Sequence, residues 1–120
     1  MMKEEMTLTF PLKSEFLTTV RLATGGVCSL AGLDLDESED CKVCVTESLL
    51  ILKRNGYGAA CVSFDAEEGL RVCVKGEEKG EGSPSEEDEI SYALLGALVK
   101  DLDLEKKDDC VAAIGFAFGS

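Results

Sequence analysis

The chain has 120 residues, the length of one domain of usual size. It carries 24 acidic against 12 basic residues, a formal net charge of −12, which disfavours nucleic acid and anionic membrane as partners because both need a basic surface. Hydrophobic residues make up 45% of it, ordinary for a globular fold, and no stretch approaches the ~18 apolar residues that a membrane span requires.

The N-terminal segment Met1-Met-Lys-Glu-Glu-Met6 is acidic and lacks the basic-then-apolar layout of a signal peptide, so a cytoplasmic protein is expected. Residues 6–12 then alternate. Met6, Leu8, Phe10 and Leu12 share one face and Thr7 and Thr9 the other, the pattern of a half-buried strand. Pro11 puts the end of that strand at a sheet edge or beyond.

Residues 14–31 follow a helical period, with Phe16, Val20, Ala23, Val27 and Leu30 on one stripe. The pair Gly25-Gly26 weakens this helix by about 1 kcal/mol per glycine relative to alanine, and close packing against a neighbour is the expected compensation. Gly32 ends the helix, and Asp36 with Glu39 reads as a capping-box start for the next. That second helix runs to Arg54 with Cys41, Val45, Leu49 and Leu52 as its core stripe, and Gly56 and Gly58 terminate it.

Two strands are expected over 59–65 and 69–75, joined by the hairpin Asp65-Ala-Glu-Glu-Gly69. The run 76–89 is rich in glycine and acid and nearly free of apolar residues, the composition of a mobile loop. Over 86–100 the spacing of Ile90, Ala93, Leu94, Ala97 and Leu98 predicts a third helix with that stripe toward the core, capped by Ser85 with Asp88. A last hairpin pairs 101–105 with 110–118, where Cys110, Ala112, Ile114, Phe116 and Phe118 face one way. The order β-α-α-β-β-loop-α-β-β implies one domain over 1–120: a two-layer α/β sandwich of the α+β kind, five mostly antiparallel strands with three helices on one face.

Six cysteines, at 28, 41, 44, 61, 73 and 110, all fall within apolar periodic segments. They read as reduced, buried, small hydrophobes. Cys41 and Cys44 form a single C-x-x-C pair, but there is no histidine and no second pair, so neither a zinc site nor any other metal site is expected.

Glu47 stands among aliphatic neighbours in the second helix. A buried, unpaired carboxylate costs roughly several kcal/mol, so a helix keeps one only at an edge or at a site. The string Asp40-Cys-Lys-Val-Cys-Val-Thr-Glu47-Ser-Leu-Leu50, with Val20-Arg21-Leu22 and the residues after it to Leu33, resembles the anti-sigma-factor serine kinases of the GHKL (Bergerat) histidine-kinase-like ATPase fold. The likeness covers residues 5–75 well and the rest thinly. Relative to that family the chain is short in the region of the nucleotide lid.

The resemblance implies three boxes. The first is a helical Glu-x-x-x-Asn, whose glutamate is a general base and whose asparagine holds magnesium one turn away. Glu47 matches the base, but Ile51 stands at the asparagine position and offers no oxygen to a hard cation. Asn55 lies a further turn on, and Tyr57 matches the family. The second box is an Asp-x-Gly-x-Gly that reads adenine. In register its aspartate falls on Gly76, while a shifted version, Glu78-Lys-Gly80-Glu-Gly82, makes Glu78, Gly80 and Gly82 the candidate nucleotide contacts. The third is a Gly-x-Gly turn at a helix N-terminus that cradles phosphates. The chain has Glu86, Glu87, Asp88 and Glu89 there instead. At ~6 Å and an effective dielectric of ~20, each carboxylate–phosphate pair costs about 3 kcal/mol before screening.

Glu47 is then either a working base or a carboxylate at the rim of a vestigial cleft, paired with a lysine or arginine. Arg21 corresponds to an arginine the family uses toward its partner, and is otherwise a solvated helix residue. Three functions follow. One is a non-catalytic regulator, without cofactor, that binds a sigma factor or an anti-sigma antagonist. Another is an ATP- and magnesium-dependent serine kinase acting on such an antagonist. The third is an assembly module, possible as a homodimer, with no sigma partner.

Overall fold

The computed structural model describes residues 5–119, so the first four residues of the acidic N-terminal segment lie outside the described range. The elements in chain order are β1 (Glu5–Pro11), α1 (Ser14–Leu30), α2 (Leu35–Arg54), β2 (Tyr57–Asp65), β3 (Leu70–Lys79), α3 (Glu87–Leu98), β4 (Lys100–Lys107) and β5 (Cys110–Phe118). The strands form one sheet in the order β1-β2-β3-β5-β4, and every neighbouring pair is antiparallel. The architecture is α+β: a five-stranded antiparallel sheet and three helices.

Period-two alternation decides which side of the sheet is covered. Val62 lies opposite Val74 and Val74 opposite Ile114; Phe64 lies opposite Val72 and Val72 opposite Phe116. These six are at most 1% exposed and form the floor of the core. Leu49, Ile51 and Leu52 of α2 and Leu95 of α3 close over it. The residues between them in sequence, among them Arg71, Cys73 and Lys75, face out.

Of the sheet's two outer strands, β4 carries six charged residues in eight, which disfavours further pairing, and β1 ends in Pro11, which has no amide to donate. Asp108 and Asp109 both take positive φ (53° and 68°), making the two-residue turn between β4 and β5. The turn falls within the expected connection 106–109, β5 has the expected bounds, and only β4 is longer than the alternation implied, running from Lys100 to Lys107.

Local signals place the helices. Gly32 at φ +77° ends α1. α2 begins with a reciprocal box two residues earlier than expected: the Glu37 amide donates to Asp34 Oδ1 at 2.8 Å, and the Asp34 amide donates to Glu37 Oε1 at 3.1 Å. Glu39 instead meets Lys42 Nζ at 3.3 Å. The close packing expected of Gly25-Gly26 is present at Gly25, where a Cβ would sit 2.9 Å from Lys42 Cε of α2, but not at Gly26, where a Cβ would have nothing within 4 Å. At the other end of α2, Gly58 belongs to β2 and does not terminate the helix.

Three expectations fail in instructive ways. Phe16 and Leu30 are exposed, and α1 buries Val20, Thr24, Val27 and Cys28 instead, because it lies over β1 at the margin of the sheet, where the covered arc is narrow. Cys73 is exposed and Cys61 half-exposed, because both alternate with core residues and so face away from the helices. The segment 76–89 is not one loop: β3 continues to Lys79, and the Gly80 amide donates to the Gly56 carbonyl at 2.8 Å.

Among the described residues, no helix is long and apolar enough to cross a membrane.

Candidate functional site

Glu47 and Arg54 are seven residues apart on α2, two turns, and therefore share one face. Asp88 and Ser91 stand three apart on α3 and turn toward them. Glu47 is half-buried, and its Oε1 accepts a hydrogen bond from Ser91 Oγ at 2.8 Å. Arg54 Nη2 donates to the same Ser91 hydroxyl at 2.8 Å, and its Nε donates to Asp88 Oδ1 at 2.7 Å. Asn55 Nδ2 donates to Asp88 Oδ2 at 2.8 Å and to the Ile51 carbonyl at 2.8 Å. The Ser85 amide also reaches Asp88 Oδ2, at 3.1 Å. A single polar chain thus links Glu47 to Asn55 through α3.

Asp88 is 2% exposed. Burial alone would push its carboxyl up. The hydrogen bonds from Arg54, Asn55 and the Ser85 amide outweigh that and hold it below the ordinary value. The expectation that Glu47 pairs with a lysine or arginine is not met. The salt bridges among the described residues are Lys42–Glu39 and Arg54–Asp88, and Arg54 reaches Glu47 only through Ser91. The more deeply buried Asp88 has taken the guanidinium. Asn55 Oδ1 and Ser48 Oγ are buried without a partner among the described residues.

The second candidate group is held by packing against its own chain. Glu78 is exposed at φ +54°. Gly82 lies against the α2–β2 turn so closely that a Cβ would come within 2.5 Å of the Asn55 carbonyl carbon. Gly56, at φ +93°, has the Glu81 carbonyl oxygen 2.7 Å from where its own Cβ would stand. A Cβ at Gly76 would fall 2.5–2.7 Å from the Tyr57 ring. A side chain at position 76 would therefore meet that ring. A groove of about 830 Å³ beside it is lined by Tyr57, Gly76, Glu78 and Gly82 with several lysines, and Glu47 does not line it.

The amides at the start of α3 are spoken for. The Glu87 amide donates to Ser85 Oγ at 3.2 Å, the Asp88 amide to the Ser85 carbonyl at 3.0 Å, and the Glu89 amide to the Glu86 carbonyl at 3.2 Å. Ser85 and Asp88 thus cap the helix as the sequence predicts. The four acids do not form one front, however: Asp88 turns inward, and Glu86, Glu87 and Glu89 face out.

Arg21 is exposed on α1, beside a shallow hollow of about 230 Å³ that it lines with Thr18, Leu22, Glu39 and Lys42. It lies apart from the Glu47 network. Among the described residues there is no group of three or more His, Cys, Asp or Glu placed to hold a metal ion.

Sequence reasoning missed Arg54 and Ser91, and read Asp88 only as a helix cap with Ser85 and as one of four acids at the start of α3. The available signal was the pairing of Asp88 with Ser91 at helical spacing, with Arg54-Asn55 closing the preceding helix. Compared with known proteins, the chain matches no family model, and no curated protein is significantly similar to it.

Proposed function

We propose that this chain is a non-catalytic regulator that binds a partner protein, on the scaffold of an anti-sigma-factor serine kinase of GHKL type. The partner class that the resemblance implies is a sigma factor or an anti-sigma antagonist, with Arg21 as a contact. The observation that carries the reading is the Glu47–Ser91–Arg54–Asp88–Asn55 network. It joins α3 directly to α2 beside the candidate base, so that Glu47 is engaged with a hydroxyl of its own chain. Ile51 is fully buried and has no oxygen to offer a cation, and the Tyr57 ring fills the space beside Gly76. The residues present do not fit a magnesium nucleotide.

Thermal unfolding with and without millimolar Mg-ATP tests this. An unchanged midpoint is expected. A ligand at a hundred times its Kd adds about 2.7 kcal/mol to stability, so a saturable rise of several degrees would overturn the reading. Phosphate transfer to an antagonist serine, abolished by Glu47→Gln, would restore the kinase reading instead.

A further inference from the structure

We infer that the outward face of α3 docks a basic amphipathic helix of a partner protein. This rests on the partner-binding reading above and names a surface for it distinct from Arg21. Ile90, Ala93, Leu94 and Ala97 stand at i, i+3, i+4 and i+7, the seam along which a helix ordinarily packs. In this chain that seam faces solvent: Ile90 is 66% and Leu94 40% exposed, and both alanines are exposed as well.

The rotation of α3 is set by its polar side. Asp88 and Ser91 are held inward by Arg54 and Asn55, and Leu95 enters the core between them and the end of the helix. Turning the helix to bury Ile90 would pull Asp88 from its guanidinium and leave two buried polar groups unpaired. The apolar seam is thereby kept outward and rigid. A contiguous apolar strip on an ordered helix is what a partner helix covers.

Charge selects the occupant. Glu86, Glu87 and Glu89 edge the seam at its start, and α3 itself carries no lysine or arginine. A helix with lysine or arginine flanking its own apolar stripe complements this rim. A second copy does not, because two such faces would bring like charges together on molecules of net charge −12 each.

The test is site-specific photo-cross-linking of the full chain in its own cells. The photoreactive residue is placed at Leu94 and, separately, at Leu22 on α1, with the attached segment read by mass spectrometry. The expected result at position 94 is a different protein, joined through a segment with apolar residues every three or four positions and an excess of lysine and arginine. A synthetic peptide of that segment should bind the purified chain, roughly ten-fold or more weakly to a folded Ile90→Ser/Leu94→Ser variant, and less tightly as salt is raised. Adducts with a second copy, or with an acidic segment, would overturn the inference. Adducts at position 22 alone would overturn it while leaving the partner-binding reading standing. Adducts at neither position would remove both.

Discussion

Asp88 is the one charged side chain that is buried among the described residues, and it is held by Arg54 and Asn55. Replacing it with alanine would leave the Arg54 guanidinium and the Asn55 amide without their acceptor. A loss of about 3 kcal/mol is expected in chemical denaturation at neutral pH. The pH dependence has a definite sign. The folded-state carboxyl lies below its ordinary 3.8, so its contribution is complete above that value and fades as pH falls through the lower folded one. The gap between wild-type and Asp88→Ala stability should therefore narrow as pH falls below 3.8. A gap that stays constant below pH 3.8 would mean that Asp88 acts through packing alone. Cysteine reactivity separates the two sides of the sheet in the same way. Thiol titration of the native chain should label Cys73 first and Cys61 more slowly, and Cys28, Cys41, Cys44 and Cys110 only on unfolding. Burial pushes the Cys73 thiol up, so its reaction should quicken as pH rises rather than saturate near neutrality.

Two glycines give opposite predictions for the elements that hold them. Gly96 lies in α3 with nothing within 4 Å of where a Cβ would stand, so Gly96→Ala should stabilise by about 0.5–1 kcal/mol through helix propensity. Gly82 is pressed on backbone atoms of the α2–β2 turn, so Gly82→Ala should destabilise by roughly 1–3 kcal/mol. Equal effects at the two positions in thermal unfolding would contradict this packing. The contrast between α2 and α3 explains what a periodic pattern can and cannot say. Cys41, Val45, Leu49 and Leu52 are buried as their spacing predicts, because α2 lies over the middle of the sheet and its inner face is almost wholly apolar. In α3 the same spacing points the wrong way. Its inner face is made usable by Arg54 and Asn55, more than thirty residues earlier, and no local window contains both partners. Cys73 failed for a nearer reason. Val72 and Val74 already claim the inner side of β3, so the residue between them has to face out.

As a whole, the molecule has a helix-covered core face and an open sheet face, with one outer strand, β4, dense in charge. Strand number, helix number and their order were legible because most elements are amphipathic and several boundaries carry a glycine or a capping acid, such as Gly32, Asp34 and Gly69. The candidate site was legible only in part. Glu47 could be singled out as a carboxylate in an apolar helix, but its partner Ser91 lies forty-four residues away and belongs to the helix whose rotation the pattern misassigns. On the proposed reading, the polar network that joins α3 to α2 around Glu47 leaves no magnesium–nucleotide site there. The most direct measurement is a titration of the isotope-labelled chain with a non-hydrolysable magnesium–ATP analogue, followed by amide and side-chain NMR. The expected result is that Glu47, Arg54, Asn55, Asp88 and Ser91 do not shift. Saturable shifts at those five residues, with release of the Arg54–Asp88 pair, would contradict it.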